Sequence, residues 1–290
     1  KTILKALGAD STCILCEWDN SFPVHPPDPT RPSNMELLGQ IVREVGAEFG
    51  IGVDGDGDRM GMVDENGTFI HPDRLLALFA ADILSRVPET ASEEARTVFY
   101  DVKCSIALEQ TIRSSGGIPN MMRTGHSFQK LALKNSPETP LAGEMSGHFF
   151  FNDKWPGFDD TLYCTARMLE LVGRDPSPTD GGPSFSERLS TIPTYPSTGE
   201  AKVPLIGERE ETMSFVEQVF SEYDASTVDG VRISLSGGDW QGWFLCRPSN
   251  TEPILVMRAE ATSESGLAEI RQLVHEKIGA KIDLTKFDES

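Results

Sequence analysis

A chain of 290 residues is long enough for two or three domains, each burying its own core. Its 38 % hydrophobic and 24 % charged content is ordinary for a soluble globular protein. The net charge of −19 argues against nucleic acid or an anionic membrane as principal partner, since both need a basic footprint. Small anionic ligands need only a local cluster of Arg, Lys and backbone N–H.

No apolar run approaches the ~20 residues that span a membrane, and no signal peptide opens the chain. Five scattered cysteines, an odd number, fit a reducing compartment, so the location expected is cytoplasmic. Cys13 and Cys16 form a CxxC, but no second CxxC or His pair answers it, and ILCEW is expected to be a buried strand.

From the start, KTILKALGAD reads as a helix followed by a strand. Residues 35–48 place Met35, Leu38, Ile41, Val42 and Val45 on one helical face, with Ser33 or Asn34 as the expected N-cap. FGIGV is a strand running into DGDGDR, MGMVD leaves as a second strand, and Glu65-Asn-Gly67 suggests a hairpin. Pro72 opens a helix through about Val87. Beyond the polar ETASEEAR, strands VFYDV, IPNMM and GHFFF alternate with helices in SIALEQTIRSS, SFQKLALKN and DDTLYCTARMLELVG. That alternation predicts α/β layering around a largely parallel sheet. RDPSPTDGGPS and STIPTYPSTGE read as loop and linker. A helix at 209–222, strands VRISL, WFLC and ILVMRAEA, and a helix near 264–279 then suggest a small α+β domain. The fold expected is therefore α/β, with mixed-sheet domains at 1–92 and 93–190 and a C-terminal α+β domain at 191–290.

Four stretches carry chemistry. Asp54, Asp56 and Asp58 alternate with glycines and are followed by Arg59. In an ideal strand their side chains would stand ~7 Å apart, too far to share an ion with bonds of ~2.1 Å. Gly55 and Gly57 let the backbone curl so that the carboxylates converge, and a hard divalent cation would relieve their repulsion. An EF-hand loop also begins D-x-D-x-D, with Glu65 at its twelfth position, but Arg59 occupies the sixth, where glycine is needed. Vacant coordination positions suit Mg²⁺, and Arg59 offers a planar fork for a phosphate. A solvated acidic turn is the structural alternative. In GEMSGH, an extended backbone would aim Glu144, Ser146 and His148 the same way, as suits vicinal sugar hydroxyls; a polar loop capping a strand is the alternative. Arg247, Ser249, Asn250 and Thr251 in RPSNTEP could surround a phosphate, or form a polar hairpin tip. Arg123 and His126 in RTGHS lie on a loop, and Lys103 follows VFYDV. Taken alone, His126 reads as structural and Lys103 as a surface lysine.

Together HPPDPT, GVDGDGDR, DVKCS, RTGHS, GEMSGH and RPSNTEP, in that order, resemble the α-D-phosphohexomutase family, of phosphomannomutase/phosphoglucomutase type. The resemblance implies a four-domain enzyme that moves a phosphoryl group between O1 and O6 of a hexose through a 1,6-bisphosphate, using a phosphoserine and Mg²⁺. It implies that Asp54, Asp56 and Asp58 hold Mg²⁺ and that Arg59 lies beside the phosphoserine. Glu144 and Ser146 would bind sugar hydroxyls with His148 supporting, Lys103 and His126 would contact substrate, and Arg247, Ser249, Asn250 and Thr251 would grip the non-reacting phosphate. The partners implied are mannose or glucose 1- and 6-phosphates and the bisphosphate. The family's Thr-Ala-Ser-His-Asn-Pro-like nucleophile loop has no counterpart, so the chain is expected to begin inside the second domain. It would need the missing N-terminal domain of the same protein and be inactive alone. A Ca²⁺-binding module and a non-catalytic sugar-phosphate sensor are the other classes.

Overall fold

The computed structural model describes residues 2–17, 19–249 and 252–290. It divides into two compact units, one of residues 1–120 and 125–193, the other of 121–124 and 194–290.

In the first unit, α1 (Thr2–Ala6) buries none of its side chains, and residues 11–17 form no strand. The expected strand in ILCEW is therefore corrected over residues 14–17, Trp18 lying outside the described residues: a strand needs a ladder, and these residues belong to none of the described sheets. Cys13 is half-buried and Cys16 exposed. Helix α2 (Pro32–Val45) has Arg31 at the N-cap without a side-chain cap bond, instead of Ser33 or Asn34. Pro32 explains the shift, since its fixed φ suits the first helical position. Met35 and Val42 bury against Val63, with Leu38 partly buried, whereas Val45 is exposed.

Strands β1 (Phe49–Val53), β2 (Met60–Asp64) and β3 (Phe69–Ile70) make an antiparallel sheet in that order. The β1–β2 pairing ends at Val53↔Met60, so DGDGDR is the hairpin turn. Helix α3 (Pro72–Leu84) follows and is buried nearly all round, as its low polarity requires.

The second sheet has the order β5-β4-β6-β7. It comprises β4 (Thr97–Asp101), β5 (Ile118–Met122), β6 (Leu141–Gly143) and β7 (Phe149–Phe151). Helix α4 (Ile106–Ser114) is capped by Ser105, whose Oγ accepts the Ala107 N–H. Helix α5 (His126–Asn135) precedes β6. Strands β4 and β6 run parallel, and β7 antiparallel to β6. The β4–β6 pair is parallel as the alternation predicts, and β7 departs from it because the short turn at 144–148 can only reverse the chain. Helix α6 (Thr161–Val172) begins at Asp160, whose carboxylate accepts the Tyr163 N–H. Phe79 of α3 packs edge-on against Phe149 and Phe151, with centroids 5.6 and 5.0 Å away. Within the loop-rich stretch a short α7 (Phe185–Leu189) forms on a capping box of Ser184 and Glu187.

The second unit contains β8 (Ala201–Pro204), α8 (Arg209–Val219), β9 (Asp224–Ser226), β10 (Val231–Gly237), β11 (Trp240–Pro248), β12 (Ile254–Ala261), α9 (Glu264–Ile278) and α10 (Thr285–Asp288). Its sheet is antiparallel in the order β8-β12-β11-β10-β9. Ile233, Phe244 and Met257 join Val216, Ile270, Val274 and Phe287 of the helices in one core. No described helix is long and apolar enough to cross a membrane.

Candidate active site

The turn at 54–59 is wound around one carboxylate. Asp54 Oδ1 accepts the N–H groups of Gly57, Asp58 and Arg59 at 3.0–3.1 Å, and Oδ2 accepts Arg59 Nε at 2.7 Å. Only Gly57, at φ +81°, needs the left-handed region; Gly55 does not. Oxygens of Asp54, Asp56 and Asp58 come within 4.8 Å of one another, the convergence that the spacing predicts. Burial would raise the Asp54 carboxyl, but the Arg59 bonds more than offset it and hold it below the ordinary range. For Asp58, burial and the neighbouring Asp54 and Asp56 prevail over the pull of His148, and the carboxyl is pushed up. An acid forced upward by its like-charged neighbours is what a divalent cation would relieve, so the donor set fits such an ion. Helices do not flank this loop, and Glu65 accepts the Ser186 N–H and hydroxyl instead of turning toward it. An EF-hand is ruled out on both counts.

Arg59 is not an open fork. Besides Asp54 it pairs with Asp28 Oδ1 at 3.3 Å, and Asp28 in turn accepts the Thr30 hydroxyl and Arg31 Nε.

The extended geometry expected for Glu144, Ser146 and His148 is corrected: residues 144–148 form the tight turn between β6 and β7. Glu144 N–H donates to His148 O, and Gly147 N–H to Glu144 O, both at 3.0 Å. Glu144 is buried, its Oε1 accepting the Gly125 N–H and its Oε2 the Ser146 hydroxyl. Burial, reinforced by Asp101, holds its carboxyl above the ordinary range despite these bonds and His148. Two backbone bonds tie the acidic turn to its surroundings. Met60 N–H donates to Gly147 O at 2.9 Å, and Thr161 N–H to Gly57 O at 3.0 Å.

His148 Nδ1 lies 2.9 Å from Asp159 Oδ2 and 3.8 Å from Asp58 Oδ1. Burial disfavours the imidazolium, but Asp159, Glu144 and Asp58 outweigh it, and His148 titrates above an ordinary histidine. His126, the first residue of α5, stacks on His148 with ring centroids 5.4 Å apart and planes 18° apart. Its Nδ1 is 3.0 Å from Lys130 Nζ, which also donates to Asp159 Oδ1 at 2.9 Å. Lys103, read as a surface lysine, is instead buried, 3.8 Å from Asp101 Oδ2. Asp101 braces the 144–148 turn by accepting the Met145 N–H at 3.2 Å.

The first unit therefore gathers Asp54, Asp56, Asp58, Arg59, Lys103, His126, Glu144, Ser146 and His148. It adds Asp28, Asp101, Lys130 and Asp159, to which the motifs alone assigned no role. Asp28 stands in HPPDPT, a signal that was present; FDD at 158–160 offered none.

Within the second unit, Arg247 is buried and donates from Nε to Asp229 Oδ2 at 2.8 Å. Asp229 also accepts the Thr124 N–H at 3.0 Å. Ser249 is buried, its Oγ accepting the Glu252 N–H at 3.2 Å. Asn250 and Thr251 lie outside the described residues.

Three family profiles match the chain in succession. They are the phosphoglucomutase/phosphomannomutase alpha/beta/alpha domain II over residues 1–67, alpha/beta/alpha domain III over 71–195, and the C-terminal domain over 209–277. A phosphomannomutase/phosphoglucomutase of Pseudomonas putida is 38 % identical over 93 % of this chain and 56 % of its own length. A phosphoglucomutase of Neisseria gonorrhoeae is likewise 38 % identical over 93 % of this chain and 56 % of its own. The crystal structure of a phosphoglucomutase/phosphomannomutase family protein from Burkholderia thailandensis superposes with a TM-score of 0.79 at 37 % identity, covering 96 % of this chain and 57 % of that one. The chain thus spans a little over half the length of these relatives. By its successive domains, and by the sequence and fold it shares with them, it belongs to the phosphoglucomutase/phosphomannomutase family.

Proposed function

We propose that the chain is part of a mutase that interconverts hexose 1-phosphate and hexose 6-phosphate, of mannose, glucose or both, through a phosphoserine and a 1,6-bisphosphate. The observation that carries this reading is the bond between Met60 N–H and Gly147 O, which joins an acidic metal turn to a hydroxyl-binding turn. Asp54, Asp56 and Asp58 would hold Mg²⁺, which supplies positive charge beside a phosphoryl group. Arg59, positioned by Asp54 and Asp28, adds a fixed guanidinium. Glu144 and Ser146 offer an acceptor and a hydroxyl to vicinal sugar hydroxyls, and His148, held by Asp159, can donate a proton or a hydrogen bond. His126 and Lys103 would meet the substrate beside them. Arg247, Ser249, Asn250 and Thr251 would grip the phosphate that does not react. Such a division of labour suits phosphoryl transfer, where positioning and charge stabilisation supply most of the rate. The nucleophilic serine would come from a further domain of the same protein, and these residues alone would bind without turnover.

Calorimetric titration with glucose 1-phosphate and mannose 1-phosphate, with Mg²⁺ present, tests the reading. Binding that weakens about tenfold or more in Glu144→Gln, the loss of one charged acceptor, supports it. No heat with either sugar phosphate would refute it.

A further inference from the structure

We infer that the chain carries a second divalent-cation site, for an ion of the zinc class, formed by Asp58, His126 and Asp159 with His148 as fourth donor. Ligand atoms of Asp58, His126 and Asp159 lie within 4.8 Å of one another. His126 Nδ1 is 3.6 Å, and His148 Nδ1 2.9 Å, from Asp159 Oδ2. Asp159 is only 9 % exposed, and neither its Oδ2 nor His148 Nδ1 makes a well-directed hydrogen bond. The two buried atoms are close enough for an ion pair but wrongly aimed for a hydrogen bond. Thr161 Oγ1, two residues further on, is likewise buried without a hydrogen bond. Two imidazoles and two carboxylates are the donors that a tetrahedral zinc-class ion prefers. The all-oxygen set of Asp54, Asp56 and Asp58 suits a hard ion instead.

Lys130 is the competing cation. Its Nζ contacts both His126 Nδ1 and Asp159 Oδ1, but the side chain is 35 % exposed. It can release His126 to the ion while keeping its bond to Asp159 Oδ1. Because Asp58 belongs to both clusters, an ion in one withdraws a ligand from the other, and the two ions must weaken each other by the same factor. Zinc would thus antagonise the hard cation from a separate seat and cover both imidazoles.

Cobalt(II) is the probe, added to the chain without substrate, because nitrogen-ligated tetrahedral cobalt absorbs visible light far more strongly than octahedral oxygen-ligated cobalt. The expected result is a strong band that is lost in His126→Ala and in Asp159→Asn and kept in Asp56→Asn. Calorimetry should show zinc affinity falling at least about tenfold in His126→Ala, the least expected where even an outer partner of a ligand costs that much, and rising in Lys130→Met. His126 is exposed, so its variant should fold even if Asp159→Asn does not; circular dichroism checks both. No strong band, or any loss of it in Asp56→Asn, assigns the ion to the aspartate turn and overturns the second site. Zinc binding is read without turnover, so its failure leaves the mutase reading standing.

Discussion

Gly147 is where the hairpin of the acidic turn and the 144–148 turn touch, and Gly147→Ala should loosen that junction. Two costs combine. At φ +88° an alanine sits in the left-handed region, at about 1–2 kcal/mol. Its Cβ would also stand 2.9 Å from Met60 O, closer than side-chain carbons pack. Relief requires the two backbones to part, weakening the 2.9 Å bond from Met60 N–H to Gly147 O by about 1 kcal/mol. The sum is about 2–3 kcal/mol. Gly57→Ala is the control, since φ there is +81° but a Cβ would meet nothing within 4 Å, leaving only the first cost. Denaturant unfolding by circular dichroism, with hydrogen exchange at the Met60 amide, separates the two. Gly147→Ala should be less stable than Gly57→Ala by about 1 kcal/mol, with faster exchange at Met60 only in the former. Equal losses, or an unchanged Met60 amide in Gly147→Ala, would refute the contact argument.

Asp159 yields a pH prediction. Burial would raise its carboxyl, but the His148 imidazole paired with it and the bond from Lys130 more than offset that and bring it from 3.8 down to about 2. A depressed acid stabilises the fold above its unfolded value and loses that contribution as pH falls through its folded one. Its side chain is only 4 % exposed, so about 2 kcal/mol should be lost between pH 5 and 2. Asp159→Asn should therefore narrow its stability gap to the parent over that range; a constant gap would contradict it. Arg167 is buried against Phe151, at 4.4 Å from its centroid, and paired with Asp153 and Glu170. Arg167→Ala takes from Asp153 its cation, whereas Glu170 keeps Lys154 and Arg174, and should cost about 3 kcal/mol, or roughly 6–12 °C in melting temperature, read by calorimetry. Asp56 is exposed, so Asp56→Asn should leave stability within about 0.5 kcal/mol while lowering Mg²⁺ affinity in a calorimetric titration. A thiol reagent should label Cys13 and Cys16 quickly in the native chain. Cys104, Cys164 and Cys246 are buried, with burial pushing the Cys246 thiol up to about 12, and should label only after unfolding.

Local sequence determined what local physics controls. The DGDGDR turn, the Glu65–Gly67 hairpin, the helices announced by Pro72 and Asp160, and the C-terminal α+β order all depend on neighbours along the chain. So did the clustering of three carboxylates, because five residues with a glycine at Gly57 can converge by themselves. Side-chain fates were different, since they depend on what another segment brings. Lys103 reads as a surface residue until Asp101 and the packing around it bury it. Arg59 reads as an open fork until Asp28, 31 residues earlier, closes on it. His126 and His148 stand 22 residues apart in sequence and stack only because α5 begins where the β6–β7 turn ends. Asp159 carries no motif at all, and only the tertiary structure sets its carboxylate between two histidines and a lysine. The strand expected at residues 14–17 failed for the same reason in reverse: strand propensity makes no sheet unless another segment supplies a ladder.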